Sequence, residues 1–198
     1  DIWVGADMGI AIYNGSSWKK LTSKDGLKGS AVMKLAADSK GRVWSASNDG
    51  GVNIINIDKD SITIENLDKD KGLSANFVFD ILHKSNGQTM LAMFGGINVV
   101  SYKYGKYIVH DIQDSVLLPS NLITSIDQDN SGNFWCGTYD AGAFKLAKKK
   151  MAYSVEPIQS KQGLSDPRIW DVYCDTSGDI WFGSNDNGLY RLSNGKMQ

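Results

Sequence analysis

Acidic, amide and hydroxyl side chains run together at Asp127-Gln128-Asp129-Asn130-Ser131-Gly132, the oxygen spacing with which a calcium loop of the EF-hand kind begins. Such a loop needs a bidentate Glu at its twelfth position, and here that position is Thr138. Asp68-Lys69-Asp70-Lys71-Gly72 is a poorer ligand set, because two Lys sit among the acids. Thiol chemistry would rest on Cys136 or Cys174, but two Cys and the distant pair His83 and His110 make neither a zinc quartet nor a Cys–His couple. No metal and no cofactor is expected, and no residue is assigned a catalytic role.

The better explanation of these residues is that they recur. Asp38-Ser39-Lys40-Gly41, Asp129-Asn130-Ser131-Gly132 and Asp175-Thr176-Ser177-Gly178 each lead to a Trp, at Trp44, Trp135 and Trp181. The chain opens on the same Trp at Trp3, and Lys84-Ser85-Asn86-Gly87 leads to Met90 as a worn copy. The five positions lie about 41 to 46 residues apart, the period of propeller blades and of some helical repeats. Composition decides between these, since 21 Gly against three Pro, with six Trp and eight Tyr, suits short strands joined by tight turns.

Each copy reads as four strands. An apolar run precedes the Asp-x-x-Gly turn, a second follows it, a Gly- and Asn-rich hairpin such as Asn48-Asp49-Gly50-Gly51 leads to a third, and a more polar fourth closes the unit. Asp25-Gly26-Leu27, Lys71-Gly72-Leu73 and Gln162-Gly163-Leu164, with Leu117-Leu118-Pro119 as a degenerate form, mark the crossings between units. The fold class expected is therefore all-β, a β-propeller of four-stranded antiparallel blades. The units fall at approximately 1–28 (partial), 29–73, 74–118, 119–164 and 165–198 (partial), about four and a half blades. The two ends repeat each other, with strands two to four at the start and one to three at the finish, so a fragment is expected instead of a closed five-bladed ring.

In this frame Asp38, Asp129 and Asp175 accept backbone N–H groups within the turn, and Gly41, Gly132 and Gly178 supply the conformation it requires. Trp3, Trp44, Trp135 and Trp181 pack between blades beside a small residue two positions on: Gly5, Ala46, Gly137 or Gly183. Cys136 is expected to be a buried, inert thiol.

The string Asp-x-x-Gly-x-hydrophobic-Trp-x-Gly-Thr/Ser-x-x-x-Gly, with the linker Gly72-Leu73-Ser74-Ala75-Asn76, resembles the two-component regulator propeller repeat. The likeness covers essentially the whole chain, departing at Met90 and Phe94-Gly95 and at Ser45-Ala46-Ser47. It implies a piece of a seven-bladed propeller in the extracytoplasmic sensor region of a bacterial hybrid histidine kinase. It also implies a periplasmic location, a possible oligosaccharide ligand, and partners in neighbouring propellers and a second copy of the parent. Hydrolases and lyases with Asp-box turns share the architecture, but those boxes are structural there too. A sialidase needs several converging Arg, whereas the chain has only Arg42, Arg168 and Arg191.

A formal net charge of -1, with no long basic run, argues against nucleic acid as a partner. Ligand contacts are expected where equivalent positions vary. The candidates are Asn48, Asp49, Phe94, Tyr139, Asp140, Asn185 and Asp186 in the hairpins, with Ser30, Asn76, Asn121 and Arg168 in the linkers. A protein-interaction or dimerisation scaffold is the alternative role.

Overall fold

The computed structural model describes residues 1–58, 61–149 and 153–198. Its strands follow the repeat: β1 Ile2–Ala6, β2 Gly9–Tyr13 and β3 Trp18–Leu21; β4 Val32–Ala37, β5 Val43–Ser47, β6 Val52–Asp58 and β7 Ser61–Leu67; β8 Val78–His83, β9 Thr89–Met93, β10 Gly96–Lys103 and β11 Lys106–Asp111; β12 Ile123–Gln128, β13 Phe134–Thr138, β14 Ala143–Lys148 and β15 Tyr153–Ile158; β16 Ile169–Cys174, β17 Ile180–Ser184, β18 Leu189–Ser193 and β19 Lys196–Met197. They form one three-stranded and four four-stranded sheets, each a meander in chain order. The protein is all-β, and each sheet is a propeller blade.

Two compact units result, residues 1–91 with 99–109 and residues 92–98 with 110–198, so the third sheet contributes strand segments to both. In the first unit Ile10, Ile12, Leu21, Leu27 and Ile55 bury a core against Trp3, Val32 and Leu35. In the second, Trp135, Ala143, Leu164, Ile169, Val172 and Phe182 do the same, the Trp135 and Phe182 rings meeting edge-on at 6.1 Å. Burial of such side chains is worth roughly 1.5 to 3 kcal/mol each.

The Asp turns are more fully bonded than the sequence suggests. Asp129 accepts from the N–H groups of Ser131 and Asn133, both at 2.9 Å, and from the Trp135 indole Nε1 at 2.9 Å. Asp38 does the same for Lys40, Arg42 and Trp44, and Asp175 for Ser177, Asp179 and Trp181. Each Trp is thus tied to the carboxylate six residues before it.

Two features differ from the sequence reading. The crossings are 3₁₀ turns, at Ser23–Asp25, Lys69–Lys71, Ile112–Asp114 and Ser160–Gln162, too short to leave a periodic signal. Leu27, Leu73, Leu118 and Leu164 plug the core beyond them. The last repeat was expected to hold three strands, yet it has a fourth, β19. Asn194 and Gly195, at φ 49° and 74°, form the left-handed pair of a two-residue hairpin that pairs Ser193 with Lys196.

Candidate functional site

The hairpins between second and third strands are held from within. In the second unit the Thr138 hydroxyl donates to the Gly142 carbonyl at 2.8 Å and accepts from Ala141 N–H at 2.8 Å, closing the loop without help from its tip. Tyr139 and Asp140 at that tip are exposed. The neighbouring blade is anchored alongside, since Gly142 N–H donates to the Pro167 carbonyl at 2.7 Å.

Strand β16 begins with a bulge: Ile169 pairs with Ser184 and Asp171 with Gly183, and the register skips Trp170 between them. An extra residue of this kind re-aims its side chain. Trp170 is 43% exposed and stands edge-on to Tyr139, itself 39% exposed, with ring centres 5.6 Å apart. On the other side Tyr139 meets Phe94 at 6.4 Å, also edge-on.

The polar end of this strip is equally ordered. Trp170 Nε1 donates to Asn185 Oδ1 at 2.8 Å, Asn185 Nδ2 donates to Asp186 Oδ1 at 2.6 Å, and Asp186 pairs with the Arg168 guanidinium. Beneath them lies Asp166, buried, which accepts from Arg168 N–H at 2.9 Å and Asp186 N–H at 2.8 Å. Burial opposes its ionisation, but backbone N–H groups of Arg168, Asp186 and Asn187 outweigh that and hold its carboxyl below the usual carboxylate range. A fixed anion therefore positions both partners of the Arg168–Asp186 pair. Six side chains, Phe94, Tyr139, Trp170, Asn185, Asp186 and Arg168, form one continuous strip of rings and hydrogen-bonding groups. Asp140 lies nearby, in a hollow of about 190 Å³ that it shares with Gln159, Ser165 and Asp166.

The remaining candidates serve the loops themselves. Asn121 Oδ1 accepts from Gln113 Nε2 at 2.9 Å, and the Asn121 carbonyl takes the N–H groups of Gly95 and Gly96. In the first unit Asn48 and Asp49 accept from Ser30 and Ala31 at 2.7 to 3.1 Å, and Asn76 Oδ1 accepts from Lys69 N–H at 2.8 Å. These side chains are spent on holding linker to hairpin.

Trp170 and Asp166 escaped the sequence reading. Trp170 sits in a run counted as an apolar first strand, where the equivalent residues are Met33, Phe79 and Thr124. A lone Trp among such unlike residues is the signal that was available. Among the described residues no group of His, Cys, Asp and Glu is arranged to hold a metal ion. Asp127 and Asp129, the acids of the apparent calcium loop, accept from Cys174 N–H at 2.7 Å and from the Trp135 turn. Cys136 is buried, and burial with the nearby acids Asp127, Asp129 and Asp175 pushes the Cys174 thiol far up, away from thiolate chemistry.

Residues 117–140 and 163–186 match the family described as two component regulator propeller. No curated protein matches the chain. Among solved structures, the extracellular domain of the hybrid two component system BT3049 from B. thetaiotaomicron superposes with a TM-score of 0.79 at 23% identity, over 99% of this chain and 26% of that one. The extracellular domain of the one component system BT4673 from the same organism gives 0.78 at 20%, over 99% and 29%. Virginiamycin B lyase from Staphylococcus aureus gives 0.70 at 14%, over 97% and 62%. The chain thus spans about a quarter to less than two thirds of these relatives, and at such identities the likeness is one of fold. No helix among the described residues is long and apolar enough to cross a membrane. Each matched segment runs from a crossing through the first two strands of a blade into the hairpin beyond them, and the two lie 46 residues apart as successive blades do, so these two blades carry segments that match the two-component regulator propeller.

Proposed function

We propose that the chain is a noncatalytic ligand-sensing segment from the extracytoplasmic, periplasmic part of a two-component signalling protein, and that its ligand is an oligosaccharide. The observation that carries this reading is the exposed Tyr139–Trp170 pair running into Asn185, Asp186 and Arg168. Aromatic faces accept the apolar face of a sugar ring, while amide, carboxylate and guanidinium groups at one end take its hydroxyls. The strip is backed by a buried carboxylate and hydrogen-bonded loops, so little ordering is left to be done on binding. Binding there would bias the arrangement of this segment against neighbouring propellers and a second copy of the parent protein, and a kinase elsewhere in that protein would read the change. The same repeats and the extracellular relatives favour this over a lyase or hydrolase, because the strip holds no nucleophile activated by a base.

Titration of the purified chain with a panel of neutral oligosaccharides, followed by calorimetry and indole fluorescence, tests the reading. A binder is expected whose affinity falls about tenfold or more in Trp170→Ala and is unchanged in Trp18→Ala, whose ring is exposed elsewhere. Glycan cleavage by the chain, abolished in Asp140→Ala or Arg168→Ala, would refute it.

A further inference from the structure

The worn repeat invites a separate question: what replaced its Asp and Trp? Where Asp38, Asp129 and Asp175 stand in the other turns, the third blade has Lys84, and Met90, fully buried, takes the place of the Trp. No indole is left there to donate, and within the turn Asn86 Oδ1 accepts the Gln88 N–H at 3.1 Å. Beside this turn lies a cavity of about 400 Å³ in the first unit, between the Asp38 and Lys84 turns. That is within the range of small-molecule pockets.

Its charge is unlike that of the equivalent groove two repeats downstream. There the corresponding residues are Ser131, Asn133, Asp175 and Asp179; here they are Lys40, Arg42, Lys84 and Gln88. At these four positions three cations replace none, and two acids, one of them paired with Arg191, are gone. Arg42 is committed to Asp38 at 2.6 Å and donates to the Tyr107 hydroxyl at 2.7 Å. Tyr107 oxygen is therefore an acceptor toward Arg42 and retains its own proton as a donor, and burial raises its phenol above the ordinary value, so that proton stays in place. His83, at the inner end, is held below the ordinary imidazole value by burial and contributes no charge near neutral pH.

The apolar wall is a series of rings. Tyr102, 47% exposed, stands edge-on to Tyr107 at 4.9 Å, and Tyr107 edge-on to Trp44 at 5.7 Å. Lys40 Nζ lies 5.5 Å from the Tyr102 ring centre, so the exposed ring and a cation address the same space. Downstream, where the hairpin is one residue longer, Asn194 occupies the place of Tyr102. A charge reversal and a ring gained together at one groove of a repeated scaffold are what a grafted site looks like.

We propose that this cavity binds a ring-bearing organic carboxylate, its carboxylate between Lys40 and Lys84 within reach of the Tyr107 hydroxyl and its ring against Tyr102. Asp38 in the wall opposes a second negative charge, which favours a monoanion over a phosphate ester. The site is separate from the Tyr139–Trp170 strip and does not depend on the sensing role assigned to it.

Ligand-observed NMR and calorimetry on the full chain test this with benzoate and glucuronate as aromatic and sugar forms of the ligand, and acetate and benzyl alcohol as its separated parts. At least one of the two carboxylates is expected to bind at least tenfold more tightly than either part. Lys84→Asp, which restores the residue of the other turns, should weaken binding about tenfold or more, and Tyr102→Ser should weaken it severalfold; thermal melts report that both variants remain folded. Failure of both carboxylates to bind overturns the proposal. So does acetate or benzyl alcohol binding as well as the better carboxylate, or full affinity in folded Lys84→Asp.

Discussion

One carboxylate oxygen of Asp129 serves two backbone N–H groups and the other an indole and the Asn133 amide, so its removal strands four donors at once. Burial opposes ionisation of Asp129, but bonds from Asn133 and Trp135 outweigh it and set its carboxyl below the usual 3.8; Asp38 is lowered in the same way. A folded value below the unfolded one means that the stabilisation is fully present above about pH 4 and is lost as pH falls through the lower folded value. Asp129→Ala is expected to cost about 1 to 3 kcal/mol in urea unfolding at pH 7. Asp129→Asn keeps an acceptor but cannot titrate, so its stability should fall less than that of the wild type between pH 6 and pH 3; equal falls would remove Asp129 from the acid response. The sequence made the Asp-x-x-Gly-x-x-Trp spacing legible and the backbone role of its Asp. It did not reveal the indole bond, because that contact depends on how the two strands twist across the turn and not on spacing alone.

Sheet-to-sheet approach determines which small residues are obligatory. A Cβ on Gly137 would lie 2.9 Å from Ile169 Cγ2 and 3.1 Å from the Ile169 carbonyl oxygen, whereas one on Gly183 would meet Asp171 at an ordinary 3.7 Å. Both glycines occupy the position two after the Trp, which sequence reasoning treats as equivalent. Gly137→Ala should therefore destabilise by about 1 to 3 kcal/mol through overpacking. Gly183→Ala should be neutral or stabilise by about 0.4 to 1 kcal/mol through the unfolded chain. Matched urea melts of the two variants decide this, and equal losses would show that the backbone rather than the neighbouring sheet sets the requirement. The same distinction separates what was legible from what was not. Four-strand periodicity, hairpins and crossings follow from local residue types. The Trp170 bulge, the 3₁₀ crossings and β19 depend on register or on a turn of two or three residues, where period-two patterning carries little information. Tyr139, Asn185, Asp186 and Arg168 were legible as variable loop positions, but the ring that joins them lay in a strand.

At the scale of the whole chain, 21 basic residues against 22 acidic ones leave almost no long-range field, so any electrostatic binding must come from local clusters. The two candidate sites differ in that respect. The Tyr139–Trp170 strip pairs its only cation, Arg168, with Asp186, and its ligand is proposed to be neutral. The Lys84 cavity carries an excess of positive charge near solvent and its proposed ligand is an anion. Raising the salt from 0.05 to 0.5 M shortens the screening length from more than 10 Å to less than 8 Å, which weakens exposed charge pairs and leaves ring stacking intact. Carboxylate affinity is therefore expected to drop severalfold over that range while oligosaccharide affinity holds. The sites also use no residue in common. Trp170→Ala should leave carboxylate binding within twofold of wild type, Lys84→Asp should leave oligosaccharide binding equally unaffected, and each ligand should bind when the other is saturating. Loss of both activities in either single variant, with the fold intact, would mean that one site had been counted twice or that binding at one governs the other.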